Sequence, residues 1–236
     1  GKNAIVVDAD ADLDEVVIHV LQSAFGYHGQ KCSACSRLIA HESVYDRVAD
    51  RLKSAAESLV LGPSEDPGSF IGSVIDDTAR QKILNSIEMG KQEGTLILER
   101  SAPGQRGHVV PLTILGGIRP EHRLAQEEVF GPVLVLMKAK TFDEALDMAN
   151  STSYALTGAV FSRSPRNLAL AKEKFRVGNL YLNRGCTGAV VARHPFGGFK
   201  MSGVGSKAGG PDYLLQFMVP RNVAESTLRR GFAPKE

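Results

Sequence analysis

The residue of this 236-residue chain most able to do chemistry is Cys32, a cysteine in a glycine-led loop. It follows Gly29, Gln30 and Lys31, directly after a segment with helical apolar spacing. The thiolate is the nucleophilic form of cysteine, and the positive charge of Lys31 favours it. Loops held between rigid elements often carry catalytic groups. These features predict that Cys32 is a nucleophile, although most free cysteines are simply buried apolar residues.

Cys32 also forms a C-x-x-C pair with Cys35, and this spacing is typical of two other kinds of site. It occurs in dithiol redox sites and as half of a zinc site. A zinc site needs further ligands, and Cys186 with His194 or His28 matches no common ligand spacing. A redox pair usually opens a helix, whereas this pair enters an apolar, strand-like run. We therefore expect no metal site, and we expect Cys35 to fill the core.

A second candidate is the run QEEVFGP at residues 126–132. A carboxylate such as Glu128 can hold the two hydroxyls of a ribose, and the ring of Phe130 can pack on a flat heterocycle. Taken alone, however, the run is most typical of a polar turn ahead of the strand that Val133 begins.

A third candidate is the small-residue run TGA at residues 187–189, followed by HPFGGF at residues 194–199. Small residues let the backbone approach a ligand, and exposed N–H groups can hold a carboxylate. Phe196 and Phe199 are by residue type more typical of a core than of a pocket. The glycines at residues 203–209 have the wrong spacing for a dinucleotide fingerprint, so we assign them no phosphate.

Apolar spacing predicts the elements that must position these residues. Helical periodicity predicts helices at residues 13–25, 44–59, 76–90, 142–149 and 165–174. Short apolar runs predict strands at residues 4–7, 38–40, 96–98, 109–112, 133–136, 158–161 and 179–182. Strands separated by helices of this length predict an α/β fold, with a mainly parallel sheet and helices on both of its faces.

The C-terminal part of the chain breaks this alternation. Residues 185–210 shift to Gly, Ala and Lys, which predicts a long ordered loop. Residues 213–219, YLLQFMV, predict a strand that leaves the domain and whose exposed edge invites pairing with another chain. We therefore divide the chain into a thiol-bearing domain at residues 1–210 and a C-terminal oligomerisation strand and tail at residues 211–236. The basic pair at residues 229–230 is expected to lie in that solvated tail.

Composition excludes several classes of protein. A formal charge of +2 gives no reason to expect nucleic acid or an anionic membrane as a partner. No apolar stretch approaches the roughly 20 residues that span a bilayer. The three cysteines are an odd number, which favours a reducing compartment such as the bacterial cytoplasm or the mitochondrial matrix. The chain starts without Met and reaches a strand almost at once, so we expect it to be part of a longer protein.

The motifs occur in an order that resembles the aldehyde dehydrogenases. The resemblance covers nearly the whole chain and rests on GKN at 1–3, GQKC at 29–32, EEVFGP at 127–132, GNL at 178–180, PFGG at 195–198 and SG at 202–203. Each motif is modest alone, but the ordered set is specific. Within the family, CSA at 32–34, NRGCTGA at 183–189 and GGPDYL at 209–214 resemble the 1-pyrroline-5-carboxylate (glutamate-semialdehyde) dehydrogenases, which include part of the bifunctional proline-utilisation proteins.

The resemblance implies a reaction and a cofactor. Cys32 would attack an aldehyde to give a thiohemiacetal, hydride would pass to NAD, and water would hydrolyse the thioester. The backbone N–H of Cys32 would donate to the oxyanion. Glu128 matches the carboxylate that holds the ribose, and Phe130 matches the residue beside the nicotinamide.

The resemblance also implies the small-molecule substrate, L-glutamate γ-semialdehyde, and the residues that bind it. Ser33, Gly188 and Ala189 match the positions that anchor its α-carboxylate. Phe196 matches one wall of an aromatic box around its aliphatic stem. Ala189 is often Ser in relatives, so here only its backbone is available and we expect a weaker anchor.

In this family the NAD-binding domain, the oxyanion-hole Asn and the general-base Glu precede the segment that this chain resembles. The resemblance thus implies the catalytic domain and tail of a larger, homo-oligomeric enzyme of proline catabolism, and no NAD-dependent turnover by the chain alone. Two alternatives stay open. One is a dehydrogenase for another aldehyde, and the other is a non-catalytic assembly module in which the tail from Tyr213 pairs across a subunit interface.

Overall fold

A computed structural model describes residues 1–101 and 107–227, and their main feature is a seven-stranded sheet. The strands of the chain are β1 (Asn3–Val7), β2 (Cys35–His41), β3 (Thr95–Arg100), β4 (Leu112–Gly116), β5 (Val133–Ala139), β6 (Tyr154–Ala155), β7 (Thr157–Phe161), β8 (Asn179–Leu182) and β9 (Phe199–Lys200). The helices are α1 (Leu13–Phe25), α2 (Glu42–Glu57), α3 (Asp77–Glu93), α4 (Arg123–Gln126), α5 (Phe142–Asn150) and α6 (Pro165–Lys174).

The sheet has the order β3-β4-β5-β2-β1-β7-β8. Each neighbouring pair is parallel except β3 with β4, which is antiparallel. A separate two-stranded ribbon joins β6 to β9. The predicted α/β fold with a mainly parallel sheet is therefore confirmed.

Strand β1 shows that helices cover both faces of the sheet. Successive strand residues point to opposite faces. Accordingly, Ile5 and Val7 pack into a core with α1 and α2, whereas Ala4 and Val6 pack into a second core with α3, α5 and α6. All four side chains are at most 1% exposed, which explains why β1 is an unbroken apolar run.

The helix that leads to Cys32 is well delimited at both ends. Asp12 caps α1 through its side chain, which accepts a hydrogen bond from the backbone N–H of Asp14 at 3.1 Å. The helix ends at Phe25 and is followed by a 3-10 turn, Gly26–Gly29. Cys32 thus lies between the end of α1 and the start of β2, at the edge of the sheet where the central parallel strands begin.

Two strand predictions need correction. Of residues 109–112, only Leu112 belongs to a strand, because β4 begins there. Pro111 explains the shift, because a proline has no N–H to donate to a ladder and is tolerated only at a strand's edge or start.

The predicted strand at residues 213–219 is also wrong. A 3-10 turn, Leu214–Phe217, occupies this segment, and no ladder pairs it with any described residue. Its large apolar residues are exposed, from 36% for Tyr213 to 92% for Val219. A strand needs a neighbour for its backbone groups, and the described part of the chain offers none there. The basic pair at residues 229–230 lies outside the described residues.

The remaining predicted elements are observed within a few residues of their expected bounds. Residues 185–210 form the predicted ordered loop, interrupted by the two-residue strand β9. None of the described helices combines the length and the apolar character that a membrane span requires.

Candidate active site

A tight turn presents Cys32 to solvent. The carbonyl oxygen of Lys31 accepts a hydrogen bond from the N–H of Ala34 at 3.0 Å, which places Cys32 and Ser33 at the centre of the turn. Cys32 is exposed, whereas Cys35 is 1% exposed. The prediction that Cys35 fills the core is therefore confirmed.

The third cysteine is buried as well. Cys186 is fully buried, and its Sγ donates to the carbonyl oxygen of Ser33 at 3.5 Å. Burial, with Cys186 beside it, raises the pKa of the Cys35 thiol. Cys32 is thus the one cysteine whose sulfur a solute can reach. Within residues 1–101 and 107–227, no three His, Cys, Asp or Glu side chains are grouped as metal ligands.

The segment before the turn is held in an uncommon conformation. Tyr27, His28 and Gly29 have φ angles of 56°, 58° and 67°, in the left-handed region. The Nδ1 of His28 accepts a hydrogen bond from the N–H of Gly72 at 2.9 Å. Partial burial lowers the pKa of His28, which favours the neutral ring that this bond needs.

Gln30, which is nearer the thiol, makes a second hydrogen bond of this kind. The Oε1 of Gln30 accepts a hydrogen bond from the N–H of Ile75 at 3.0 Å. The strand-like stretch at residues 70–75 therefore holds the thiol loop from one side through two backbone donors.

A cavity of about 710 Å³ opens at the thiol, and we call it the thiol cavity. Its wall contains five of the residues singled out in the sequence: Cys32, Ser33, Gly188, Ala189 and Phe196. The other lining residues are Gln30, Lys31, Val191, His194, Ala208 and Gly209. This volume suits a small organic molecule.

The loop after β8 reaches the thiol cavity by running back along α1. A Cβ on Gly185 would lie 2.6 Å from the Oγ of Ser23 in that helix. The next residue, Cys186, contacts Ser33 as described. Gly188 then turns with a φ of 87°, which a glycine adopts at no steric cost. This path carries residues from far along the chain to the thiol.

The start of β8 holds the wall that carries Phe196. Asn179 donates from Nδ2 to the carbonyl oxygen of Pro195 at 2.9 Å, and its Oδ1 accepts from the N–H of Gly197 at 3.3 Å. Phe196 also exchanges two backbone hydrogen bonds with Ala208, at 2.8 and 2.9 Å. Phe196 is therefore a fixed part of the thiol cavity and not of the core, contrary to the expectation from residue type alone.

Glu128 and Phe130 line a second, smaller cavity, which we call the Glu128 cavity. Lys31 lines this cavity and the thiol cavity, whereas Cys32 lines only the thiol cavity. The structure thus places the two sets of predicted residues on neighbouring cavities that share the thiol loop. A single cavity does not contain them all.

The adjacent carboxylates at 127 and 128 have different environments. Glu127 accepts hydrogen bonds from Arg123, one of them at 3.0 Å, and this hydrogen bonding lowers the pKa of Glu127. Glu128 instead lies beside the thiol loop, where it shares a cavity lining with Gly29 and Lys31. Phe130 has a φ of 64° and is 41% exposed. Of the two carboxylates, Glu128 is therefore the one that lines the Glu128 cavity.

A third cavity, of about 750 Å³, lies along α3 and the segment 123–129. Glu128 and Val129 line it as well as the Glu128 cavity. Its remaining lining is mostly polar and includes Asp77, Lys82 and Arg123. Glu128 therefore lies between a small space at the thiol loop and a much larger, mostly polar one.

Comparison with protein families gives a match over residues 1–223 to the model described as "Aldehyde dehydrogenase family". The chain belongs to the aldehyde dehydrogenase family. The resemblance drawn from the ordered motifs is confirmed by this match. The branch is also supported, because curated relatives at about 50% identity are named 1-pyrroline-5-carboxylate dehydrogenase.

Individual relatives show how much of an aldehyde dehydrogenase is present here. A 1-pyrroline-5-carboxylate dehydrogenase of Anoxybacillus flavithermus is 52% identical over 225 residues, which are 95% of this chain and 44% of that protein. A solved structure of proline utilization A from Bdellovibrio bacteriovorus, inactivated by N-propargylglycine, has a TM-score of 0.94 and 56% identity over 100% of this chain and 24% of that one.

A second solved structure, the 1-pyrroline-5-carboxylate dehydrogenase from Thermus with bound NAD, has a TM-score of 0.88. It is 46% identical over 92% of this chain and 42% of that one. The chain therefore spans less than half the length of these relatives.

Sequence reasoning assigned no role to Asn3, although it lies inside one of the motifs. Its Nδ2 donates to the carbonyl oxygens of Cys32 and Ala34, at 2.9 and 2.8 Å. Its Oδ1 accepts from the N–H of Thr157 at 3.1 Å. The side chain is buried and thereby fixes the thiol turn to β1 and β7. The only signal in the sequence is an amide at the first position of an otherwise apolar strand.

Sequence reasoning also missed Arg37, a fully buried residue of β2. Its guanidinium donates to the carbonyl oxygens of Lys2, Met148 and Ala149, at 3.0, 2.8 and 2.8 Å. It therefore joins the start of β1 to the end of α5. Burial lowers the pKa of Arg37 to about 10, and burial together with the nearby Arg37 charge lowers the pKa of Lys2 to about 7.

We expect Asn3→Ala to lower the free energy of unfolding by roughly 2–4 kcal/mol, because it leaves buried carbonyl and N–H groups without partners. Urea unfolding measures this loss, and the alkylation rate of Cys32 should change with it because the turn is released. Asn150→Ala is the matched control. Asn150 also makes two hydrogen bonds to backbone groups, of Lys174 and Arg176, but at a partly exposed site. Equal losses in the two variants would contradict the role given to Asn3.

Proposed function

We propose that this chain supplies the thiol-bearing part of an NAD-dependent dehydrogenase that oxidises L-glutamate γ-semialdehyde to glutamate in proline catabolism. The observation that carries the proposal is the thiol cavity, where an exposed sulfur shares one wall with a hydroxyl, a small-residue turn and an aromatic ring. The names of the relatives support the choice of substrate. Glutamate semialdehyde is the open-chain form of 1-pyrroline-5-carboxylate.

Cys32 would act as the nucleophile. Its sulfur adds to the aldehyde carbon, and the thiol proton ends on the new hydroxyl of the thiohemiacetal. Loss of a hydride from that carbon and of the hydroxyl proton leaves a thioester. Water then cleaves the thioester to release the carboxylic acid and restore the thiol. The turn's own hydrogen bond uses the N–H of Ala34 and not that of Cys32, and we propose that the Cys32 N–H donates to the developing oxyanion.

Ser33, Gly188 and Ala189 would hold the far end of the substrate. The Ser33 hydroxyl and the backbone N–H groups of the turn can donate to a carboxylate, and all three residues line the thiol cavity. Phe196 lines the cavity as well and offers an apolar surface for the methylene stem between the two ends. A carboxylate-bearing aldehyde therefore matches the chemistry of the whole wall.

The Glu128 cavity, of about 20 Å³, is too small to enclose a nucleotide, but two of its lining residues have the chemistry to contact one at its rim. A carboxylate suits ribose hydroxyls and an exposed aromatic ring suits a flat base, and Glu128 and Phe130 supply these two groups beside the thiol loop. When bound, NAD supplies a hydride acceptor. We propose that Glu128 holds the ribose and that Phe130 lies beside the nicotinamide. The other contacts to NAD would come from an NAD-binding domain of the full enzyme.

We also retain the division into a catalytic domain at residues 1–210 and an oligomerisation segment at residues 211–236. Its support is the run of exposed apolar side chains in the described part of that segment, among them Leu214, Phe217 and Val219. Exposed apolar runs of this kind mark surfaces that another chain covers. We propose a second copy of this chain as the partner.

Replacing Ser33 with alanine tests the substrate. In the complete enzyme, we expect Ser33→Ala to lower kcat/KM for glutamate semialdehyde about tenfold or more, because one hydrogen bond to a charged group is lost. For propanal, which has no carboxylate, kcat/KM should stay nearly unchanged. Steady-state kinetics with the two aldehydes measures the difference.

The matched control is Ser36→Ala, four residues from Cys32. Ser36 donates to the carbonyl oxygen of Asn3 at 3.4 Å and lines the Glu128 cavity, not the thiol cavity. It should not change the ratio of kcat/KM between the two aldehydes. Equal losses for both aldehydes in Ser33→Ala would favour a dehydrogenase for another substrate.

A further inference from the structure

The wall of the thiol cavity has a charge pattern that favours an anion. Its lining includes a lysine, Lys31, and a histidine, His194, and no carboxylate among the described residues. Cys32 is the remaining titratable residue of the wall. Lys31 also lines the Glu128 cavity and neighbours the thiol, so it belongs to the thiol loop. The proposed reaction and substrate site assign no role to His194.

His194 is held in one orientation by its own turn. Its backbone N–H donates to the carbonyl oxygen of Val190 at 2.8 Å, and its Nδ1 accepts from the N–H of Val190 at 3.1 Å. A ring nitrogen that accepts a hydrogen bond carries no proton, so the neutral ring bears its proton on Nε2. His194 lines the thiol cavity, and with Nδ1 bound to Val190 its remaining ring donor is Nε2–H.

The residues proposed to anchor the substrate carboxylate, Ser33, Gly188 and Ala189, leave room for a further hydrogen-bond donor. A carboxylate has about four lone-pair sites to satisfy. Ala189 has no hydroxyl, so the turn at 188–189 contributes backbone N–H groups only. Phe196 lies two residues after His194 and lines the same cavity, so the aromatic wall and the histidine are presented by one loop.

We propose that His194 is a further substrate-binding residue, whose Nε2–H donates to the carboxylate of the substrate in the thiol cavity. This inference rests on the proposed function and extends its binding site. It predicts specificity for aldehydes that carry a carboxylate. The competing possibility is that His194 only stabilises the turn at residues 190–194 through Nδ1.

Two amide substitutions separate these roles, because asparagine can replace Nδ1 and glutamine can replace Nε2. His194→Asn keeps an acceptor for Val190 but loses the donor to the cavity, whereas His194→Gln keeps a donor at the Nε2 position. We expect His194→Asn to raise KM for glutamate semialdehyde about tenfold in the complete enzyme. His194→Gln should stay within about twofold of the parent, and KM for propanal should not change in either variant.

Binding of glutamate, measured as protection of Cys32 against iodoacetamide, supplies a readout without turnover. It should weaken in His194→Asn and persist in His194→Gln. The reverse order would overturn the inference and leave the turn-stabilising role, and equal affinity in both variants and the parent would also overturn it. If Ser33→Ala weakens glutamate binding while His194→Asn does not, only the role of His194 fails. If the parent shows no preference for glutamate semialdehyde over propanal, the proposed substrate fails as well.

Discussion

Replacing Cys32 with serine should reduce aldehyde oxidation by the complete enzyme at least about a thousandfold, because a serine hydroxyl is a far weaker nucleophile than a thiolate. Neither of the other two cysteines of this chain can substitute, since Cys35 and Cys186 are both buried. Steady-state NADH formation measures the loss. The thermal midpoint should hardly move, because the Cys32 side chain lies at an exposed turn.

Cys35→Ala is the control for this variant. It removes a buried thiol from the core, so it should lower the free energy of unfolding by about 1 kcal/mol yet keep most of the activity. Brief treatment with iodoacetamide followed by peptide mass spectrometry should place the label on Cys32 first. Two results together would contradict the role of Cys32 as nucleophile. They are turnover retained in Cys32→Ser and a reaction of Cys32 with iodoacetamide no faster than that of free cysteine. These results would favour the non-catalytic assembly module.

The second large effect is expected at Gly29, where we predict that alanine lowers the free energy of unfolding by about 3 kcal/mol or more. Gly29 has a φ of 67°, and an added Cβ would lie 2.3 Å from the carbonyl oxygen of Gly131. That oxygen belongs to the backbone, so it cannot move aside as a flexible side chain would. Either the thiol loop or the turn that carries Glu128 and Phe130 must shift.

Gly117→Ala is a matched control, because Gly117 has the same φ of 67° but nothing within 4 Å of an added Cβ. Gly117→Ala should lower the free energy of unfolding by only about 1 kcal/mol, because alanine is less stable than glycine in the left-handed conformation. Urea unfolding of both variants separates the effect of the close contact with Gly131 from the effect of the left-handed backbone conformation. In Gly29→Ala the alkylation rate of Cys32 should also change. Equal destabilisation of the two variants would show that the contact between Gly29 and Gly131 is unimportant.

The elements of the sheet were largely predictable because burial imposes a pattern on the sequence. β1, β5 and β7 are apolar at nearly every position, since both faces of a parallel sheet are covered. The two errors have a common cause. Residues 109–112 and 213–219 are apolar enough for strands, but strand pairing also requires available N–H groups and a neighbouring strand. The first run contains Pro111, and the second has no neighbour among the described residues.

The candidate site was predictable in composition but not in arrangement. Spacing and motif order selected Cys32 and the small-residue turn at 187–189. They did not show that Glu127 is occupied by Arg123 while Glu128 lines a cavity. Residue type alone favoured a core position for Phe196, whereas the family resemblance placed it in a pocket wall, and it lines the thiol cavity.

The sequence by itself determined the alternation of strands and helices and the family, and it selected Cys32 as the candidate nucleophile, because these depend on local periodicity and on short runs of residue types. Only the tertiary structure decided which side chains meet. Asn3 binds the thiol turn across 29 residues of chain, and the loop after β8 returns along α1 to reach Ser33. Such contacts depend on the order of strands in the sheet and on the path of the connecting loops, and these follow from the packing of the whole domain and not from any local pattern.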